Sequence, residues 1–239
     1  MKRAQLTALL LALACPAAAH AAPCRQALAL GLDVSGSVDA REYRLQLGGL
    51  AAALDSTPVR AALLARPDTP VELLVYEWSG PQDQRILVPW TRVTGVLPLD
   101  TAITTLQTTL RHAEAAPGTA LGVAMAYGAQ QLATRASCWR KTLDISGDGK
   151  SNLGPRPRSI KPRLATSGLT INALVIGADD PATGDARQGE IAELSAYFSA
   201  EVILGPDAFV ETALGFEDYT AAMTRKLLRE LDGLVVSMN

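Results

Sequence analysis

Two short apolar segments, each followed by an aspartate, most constrain how this chain can fold. Residues 27–32 are apolar and lead directly into Asp33, and residues 142–145 form a second such run shortly before Asp148. Runs of this length, bounded by glycine and polar residues, are typical of buried strands in a parallel sheet. If the two strands are parallel neighbours, both aspartates lie at the carboxyl edge of one sheet.

The remainder of the chain alternates between strand-like and helix-like segments. This alternation predicts an α/β fold, with a doubly wound, mainly parallel central sheet, one antiparallel edge strand and helices on both faces. We see no repeat or interdomain linker, so residues 22–239 are expected to form a single domain. Strands are predicted at residues 27–33, 71–78, 85–88, 140–145, 170–176 and 201–204. Helices are predicted at residues 39–54, 57–66, 98–115, 120–134, 160–166, 190–198 and 216–234.

Residues 1–21 are typical of a secretory signal peptide. Lys2 and Arg3 form a charged start, residues 6–14 an apolar core, and Ala19-His20-Ala21 a cleavage site. The apolar core is too short to anchor the chain across a bilayer, and no other segment predicts a membrane span. Lipid attachment at Cys15 is an alternative, although the three residues before it make a poor lipobox. We therefore expect export across the inner membrane to the periplasm.

Charge and composition restrict the kind of partner. Hydrophobic residues make up 48% of the chain and charged residues 19%, which is enough apolar material for a full core. The 22 Lys and Arg residues are balanced by 24 Asp and Glu residues, and no Lys/Arg cluster stands out as a stripe that would follow a phosphate backbone. Nucleic acid is therefore not expected as a partner.

Signal cleavage leaves two cysteines, Cys24 and Cys138. Cys24 lies nine residues before Asp33, and Cys138 lies ten residues before Asp148. If the two strands run parallel and in register, the cysteines meet at the edge opposite the aspartates. In an oxidising compartment this spacing predicts a disulfide bond, with two unrelated thiols as the alternative.

Oxygen-bearing side chains cluster around the two predicted strand ends. Asp33, Ser35 and Ser37 follow the first strand, Thr119 lies in a Pro-Gly-Thr segment before a helix, and Asp148 follows the later strand. Carboxylate and hydroxyl oxygens are hard ligands. They suit Mg²⁺ or Mn²⁺ better than Ca²⁺ in a site of this composition.

This pattern resembles the von Willebrand factor A (vWA) domain and its metal-ion-dependent adhesion site (MIDAS). Asp33-Val34-Ser35-Gly36-Ser37 matches the family's Asp-x-Ser-x-Ser, Thr119 its threonine loop, and Asp148-Gly149 its final Asp-Gly. The sequence segments 32–39 and 144–152 most resemble those of a group of exported bacterial vWA-like proteins, which is known only as a domain of unknown function. The resemblance implies a Rossmann-like vWA fold and five metal ligands: Asp33, Ser35, Ser37, Thr119 and Asp148.

Structural roles are the alternative for several of these residues. Thr119 could be an ordinary helix N-cap, and Asp39 and Glu42 are expected to cap the first helix. Asp144 lies inside the later strand and could be a buried, hydrogen-bonded acid. The acidic segment with Asp179, Asp180 and Asp185 could hold Ca²⁺, but solvated carboxylates are the simpler interpretation.

The resemblance implies a binding module in which a divalent cation recognises an acidic group on a protein partner. We do not expect the protein to be an enzyme. The mature chain has a single histidine, His112, within a predicted helix, and it contains neither a P-loop nor a Gly-x-Ser-x-Gly elbow. Two alternatives stay open. Asp33 and Asp148 could hold Mg²⁺ for phosphoryl transfer by a hydrolase, or the metal could be purely structural.

Overall fold

The computed structural model describes residues 22–112, 115–177 and 184–232, with backbone alone for 184–187 and 232. These residues contain a six-stranded sheet. Its strands are β1 (Cys24–Asp33), β2 (Val71–Trp78), β3 (Gln84–Arg92), β4 (Cys138–Gly147), β5 (Thr170–Ile176) and β6 (Val210–Ala213). Their order across the sheet is β3-β2-β1-β4-β5-β6, and all neighbouring strands are parallel except β2 and β3, which are antiparallel. The predicted fold class is confirmed.

Helices cover both faces of the sheet. One face packs against α1 (Ala40–Asp55), α2 (Thr57–Leu64), α3 (Val96–Thr108) and α7 (Tyr219–Asp232). The other face packs against α4 (Leu121–Ala133), α5 (Pro157–Leu164) and α6 (Gly184–Glu201). No helix in the described ranges has the length and apolar character needed to cross a membrane.

The alternation of side chains along β1 explains how one strand serves two cores. Leu28, Leu30 and Leu32 pack on the side of α1 and α7, whereas Ala27 and Ala29 pack on the side of α4. Both sets are fully buried, which accounts for the continuous apolar run in the sequence.

The disulfide bond predicted from the sequence is present. Cys24 and Cys138 are register partners on the neighbouring strands β1 and β4, with their Cα atoms 4.4 Å apart. The same register pairs Leu32 with Ser146, so Asp33 and Asp148 emerge together at the opposite edge. The disulfide and the two aspartates thus lie at opposite ends of one strand pair.

Two predicted elements differ from the structure. Residues 201–204 were expected to form the last strand, but α6 continues through Glu201, and Leu204 makes only an isolated antiparallel bridge to Ile171. The sixth strand lies at 210–213 instead. Helix α3 was expected to reach residue 115, but it ends at Thr108, so the exposed His112 lies in a loop.

Candidate metal centre

Asp33 ends β1 and is buried, with 1% of its surface exposed. Its Oδ1 accepts a hydrogen bond from the backbone N–H of Ser35 at 2.8 Å, and its backbone carbonyl accepts one from Gln46 Nε2 at 2.9 Å. Its other carboxylate oxygen, Oδ2, is buried and has no hydrogen-bond partner within the described ranges. The side chain is therefore held in place by one oxygen, while the second lacks a donor.

The two serines link the first loop to Asp148. The Oγ atoms of Ser35 and Ser37 are 3.3 Å apart, and Ser37 Oγ donates a hydrogen bond to Asp148 Oδ1 at 2.9 Å. Adjacent ligands of an octahedral Mg²⁺, with bonds of about 2.0–2.1 Å, lie about 2.9 Å apart. These oxygen–oxygen separations are therefore compatible with ligands that share one small cation.

Thr119 lies in a loop held between the other two segments. The N–H of Gly36 donates to the Pro117 carbonyl at 3.0 Å, which joins this loop to the Asp33–Ser37 segment. Asn152 accepts from the Thr119 N–H at 2.8 Å through Oδ1, and its own N–H donates to the Thr119 carbonyl at 3.0 Å. The structure thus brings together the three segments that carry the five predicted ligands.

Thr119 is not a helix cap. Helix α4 begins at Leu121, its N-cap residue is Ala120, and no side chain caps its first turn. Asn152, which holds the Thr119 backbone through two hydrogen bonds, was not expected from the sequence. Its position four residues after Asp148 was the only available signal, because the contact depends on the path of the intervening loop.

Gly147 leaves space beside the unpartnered oxygen of Asp33. A Cβ atom at this position would lie 3.3 Å from Asp33 Oδ2, which is tighter than an ordinary van der Waals contact. A larger residue would crowd the carboxylate. The glycine therefore avoids crowding the Asp33 carboxylate.

The electrostatics of the cluster favour a bound cation. Burial raises the pKa of Asp33 to about 8, and the nearby charge of Asp148 adds to this increase. Burial also raises the pKa of Asp148, partly offset by the hydrogen bond from Ser37. Two carboxylates that share a buried site resist simultaneous ionisation, and a cation between them would relieve that cost.

Other polar residues singled out in the sequence have structural contacts. Asp39 and Glu42 form a capping box at the start of α1, as predicted. Asp144 is a buried acid, and its Oδ2 lies 2.7 Å from Lys226 Nζ. Residues 1–21, which were predicted to be a signal peptide, and the acidic residues Asp179 and Asp180 lie outside the described residues, and Asp185 is described only by its backbone.

Comparison with known proteins assigns the chain to a family. The model of the family "Protein of unknown function (DUF1194)" matches residues 23–235, and the chain therefore belongs to that family. A search of curated proteins finds no match.

Several solved structures share the fold. Proximal thread matrix protein 1 from the mussel byssus, with a zinc-occupied MIDAS motif, is 16% identical with a TM-score of 0.58, over 88% of this chain and 48% of that one. A von Willebrand factor type A protein from Catenulispora acidiphila is 16% identical with a TM-score of 0.57, and the match covers 87% of this chain and 43% of that one. The pilus adhesin SpaC from Lactobacillus rhamnosus GG is 13% identical with a TM-score of 0.57, and the match covers 88% of this chain and 30% of that one.

These similarities establish the vWA fold. The chain spans about half the length of the mussel proteins that it matches. At such low identities the likeness concerns architecture alone. The function must therefore be argued from the residues of the cluster.

Proposed function

We propose that this member of the DUF1194 family is an exported, metal-dependent binding module. Asp33, Ser35, Ser37, Thr119 and Asp148 would hold one divalent cation at the carboxyl edge of the sheet. The cation would recognise an Asp or Glu carboxylate on a protein partner. We propose no enzymatic activity, and the two described cysteines, being joined in a disulfide bond, offer no thiolate nucleophile.

The observation that carries this proposal is the buried Asp33 carboxylate. One of its oxygens has no donor, and Asp148 provides a second carboxylate close enough to raise the pKa of Asp33. A buried charge of this kind normally pairs with a cation. Because the other three proposed ligands are neutral hydroxyls, only two carboxylates balance the divalent ion, which would stay electrophilic enough to bind one more carboxylate from outside.

The chemistry of the ligands supports Mg²⁺ or Mn²⁺. All five donors are hard oxygens, and the cluster contains no histidine or cysteine. Mg²⁺ usually keeps several waters and needs few protein oxygens, whereas Ca²⁺ usually takes about 6–8 oxygens. A smaller ion can complete its coordination with water or with one ligand from a partner.

Exposed apolar side chains at the same edge of the sheet support a protein partner. Leu110, Leu153 and Leu214 are 77%, 43% and 59% exposed, respectively. Leu153 lies against Gly118 in the threonine loop, and Leu214 directly follows β6. Apolar side chains around a central polar contact are common in protein interfaces. The disulfide bond supports an oxidising location, for which we propose the periplasm.

The test is a thermal-melt titration of the oxidised mature protein with Mg²⁺, Mn²⁺ and Ca²⁺. A ligand that binds only the folded state raises the melting temperature, and a concentration 100 times the Kd contributes about 2.7 kcal/mol. We expect Mg²⁺ or Mn²⁺ to stabilise the wild type but not Asp33→Asn or Asp148→Asn. Asp68→Asn removes an equal charge from an exposed position far from the cluster and is expected to respond like the wild type.

Absence of any shift, in protein shown free of co-purified metal, would refute the metal site. If the shift is present, immobilised protein should retain an acidic partner in Mg²⁺ and release it in chelator. Metal binding without such retention would indicate that the metal has a purely structural role. Hydrolysis of a phosphate ester that is lost in Asp33→Asn would instead support the phosphoryl-transfer alternative.

A further inference from the structure

A small cavity lies beside the candidate metal centre. Its volume is about 210 Å³, and its walls come from the end of β2, the turn into β3, His112 and Ala115. Val34, which also lines the cavity, is the residue next to Asp33. The cavity therefore adjoins the loop that carries the first three proposed metal ligands.

Ser79 gives the cavity an unusual polar wall. The residue is fully buried, and its Oγ has no hydrogen-bond partner among the residues that the structure describes. Buried hydroxyl groups are nearly always hydrogen-bonded, because leaving one unpaired is unfavourable. A bound molecule that enters the cavity could supply the missing partner.

The charges around the cavity leave one acid uncompensated. Glu77 is 3% exposed and is neutralised by Arg85 Nε at 2.7 Å, with a further hydrogen bond from Tyr43 Oη at 2.9 Å. Asp83 is half-buried, and no Lys or Arg of the described chain forms an ion pair with it.

The position of the Asp83 carboxylate is set by the turn. The Ser79 N–H donates to the Asp83 carbonyl at 3.1 Å, and the Asp83 N–H donates to the Gly80 carbonyl at 3.2 Å. A Cβ atom at Gly80 would lie 2.6 Å from Asp83 Oδ2, so the carboxylate rests against this backbone. Ser79 and Asp83 are thus held as a pair on one turn.

We propose that this cavity is a second subsite, which binds a basic side chain of the same protein partner. A lysine or arginine would balance the charge of Asp83 and donate a hydrogen bond to Ser79 Oγ. The volume is below the roughly 300–1,000 Å³ of typical small-molecule sites but fits a single side chain. Since this extends the metal-centred function proposed above, the partner would present an acidic and a basic residue close together.

The test uses n-butylammonium as a probe for a lysine side chain and n-butanol as its uncharged match. Isotope-labelled, oxidised mature protein is titrated with each probe, with and without Mg²⁺, and amide chemical shifts are recorded by NMR. We expect saturable shifts at Ser79 and at residues 82–85 with the amine alone, with a Kd in the millimolar range for so small a probe. Asp83→Asn should weaken binding about tenfold, as for loss of a charge-assisted hydrogen bond.

Asp68→Asn serves as the matched control and should leave amine binding unchanged. Ser79→Ala should weaken amine binding without lowering the melting temperature, since it removes a hydroxyl that has no partner. Equal shifts with both probes, no saturation, or full binding by Asp83→Asn would overturn the subsite. Amine binding in a protein that fails the metal titration would uphold the cavity assignment while removing the metal-centred function.

Discussion

Replacing Lys226 with methionine is expected to destabilise the protein strongly. Lys226 lies on α7 and is fully buried, with Nζ at 2.7 Å from Asp144 Oδ2 and 2.6 Å from Glu230 Oε1. Methionine fills a similar volume but removes the charge, which leaves two buried carboxylates without a cation. Breaking a buried ion pair in this way typically costs about 3–5 kcal/mol. For a domain of this size, that lowers the melting temperature by about 6–20 °C.

The cost should depend on pH in a defined direction. Burial raises the pKa of Asp144 to about 7 even though Lys226 opposes the increase. The folded state therefore binds a proton more readily than the unfolded state, so this group's contribution to stability is present at low pH and lost as the pH rises through 7. Removing Lys226 should raise the pKa of Asp144 further, because the lysine charge is what opposes the increase. The destabilisation is thus expected to be largest near pH 8 and smaller near pH 5.

Urea unfolding at pH 5 and pH 8 measures both effects. Lys161→Met removes a surface lysine that donates to the Ala200 carbonyl, and this control should change stability by less than about 0.5 kcal/mol. Adding Asp144→Asn and Glu230→Gln to Lys226→Met removes the uncompensated charges and should recover much of the loss at pH 8. A cost for Lys226→Met below about 1 kcal/mol, or one that is equal at both pH values, would refute the electrostatic explanation.

Two further predictions concern backbone constraints. Replacing Cys24 and Cys138 with alanine removes a cross-link between residues 114 positions apart and should lower the free energy of unfolding in urea by about 4–5 kcal/mol. Reductant should have no further effect on this variant. A variant as stable as the wild type would contradict the prediction. Gly122→Ala should cost about 1–3 kcal/mol in the same assay, because its Cβ would collide with the Pro155 carbonyl. Gly48→Ala, which meets no atom within 4 Å, should instead stabilise α1 by about 0.5–1 kcal/mol; similar effects at both glycines would exclude the collision as the cause.

The sequence predicted those parts of the fold in which a local pattern coincides with burial. The apolar run of β1 and the matched cysteine spacings gave the correct strand pairing, because strand register is regular over ten residues. Strand β6 was missed because it has only four residues, of which only Ala213 is buried. The apolar pair at residues 202–203 was more prominent, but it follows α6 and packs against the core from there.

The end of α3 shows a different limit. Residues 109–112 have a composition that is compatible with a helix, yet the chain leaves the helix after Thr108. Arg44 donates to the Thr109 carbonyl at 2.9 Å and Arg85 donates to the Leu110 carbonyl at 3.0 Å. These side chains come from α1 and β3 and satisfy carbonyls that would otherwise need helical N–H groups. Local propensity cannot reveal a tertiary contact of this kind.

The pairing of buried acids gives the strongest structural argument for the proposed cation. In the part of the chain that is described, the buried carboxylates are Asp33, Glu72, Glu77, Asp144 and Glu230. Four of them form an ion pair with a lysine or arginine within 3.3 Å. Glu72 pairs with Arg92 and Arg135, and Glu77 pairs with Arg85. Asp144 and Glu230 both pair with Lys226. Asp33 is the exception, and its neighbour is a second acid, Asp148. A fold that neutralises its other buried carboxylates internally, and leaves this one at an edge lined with hydroxyls, is consistent with a cation supplied from solution.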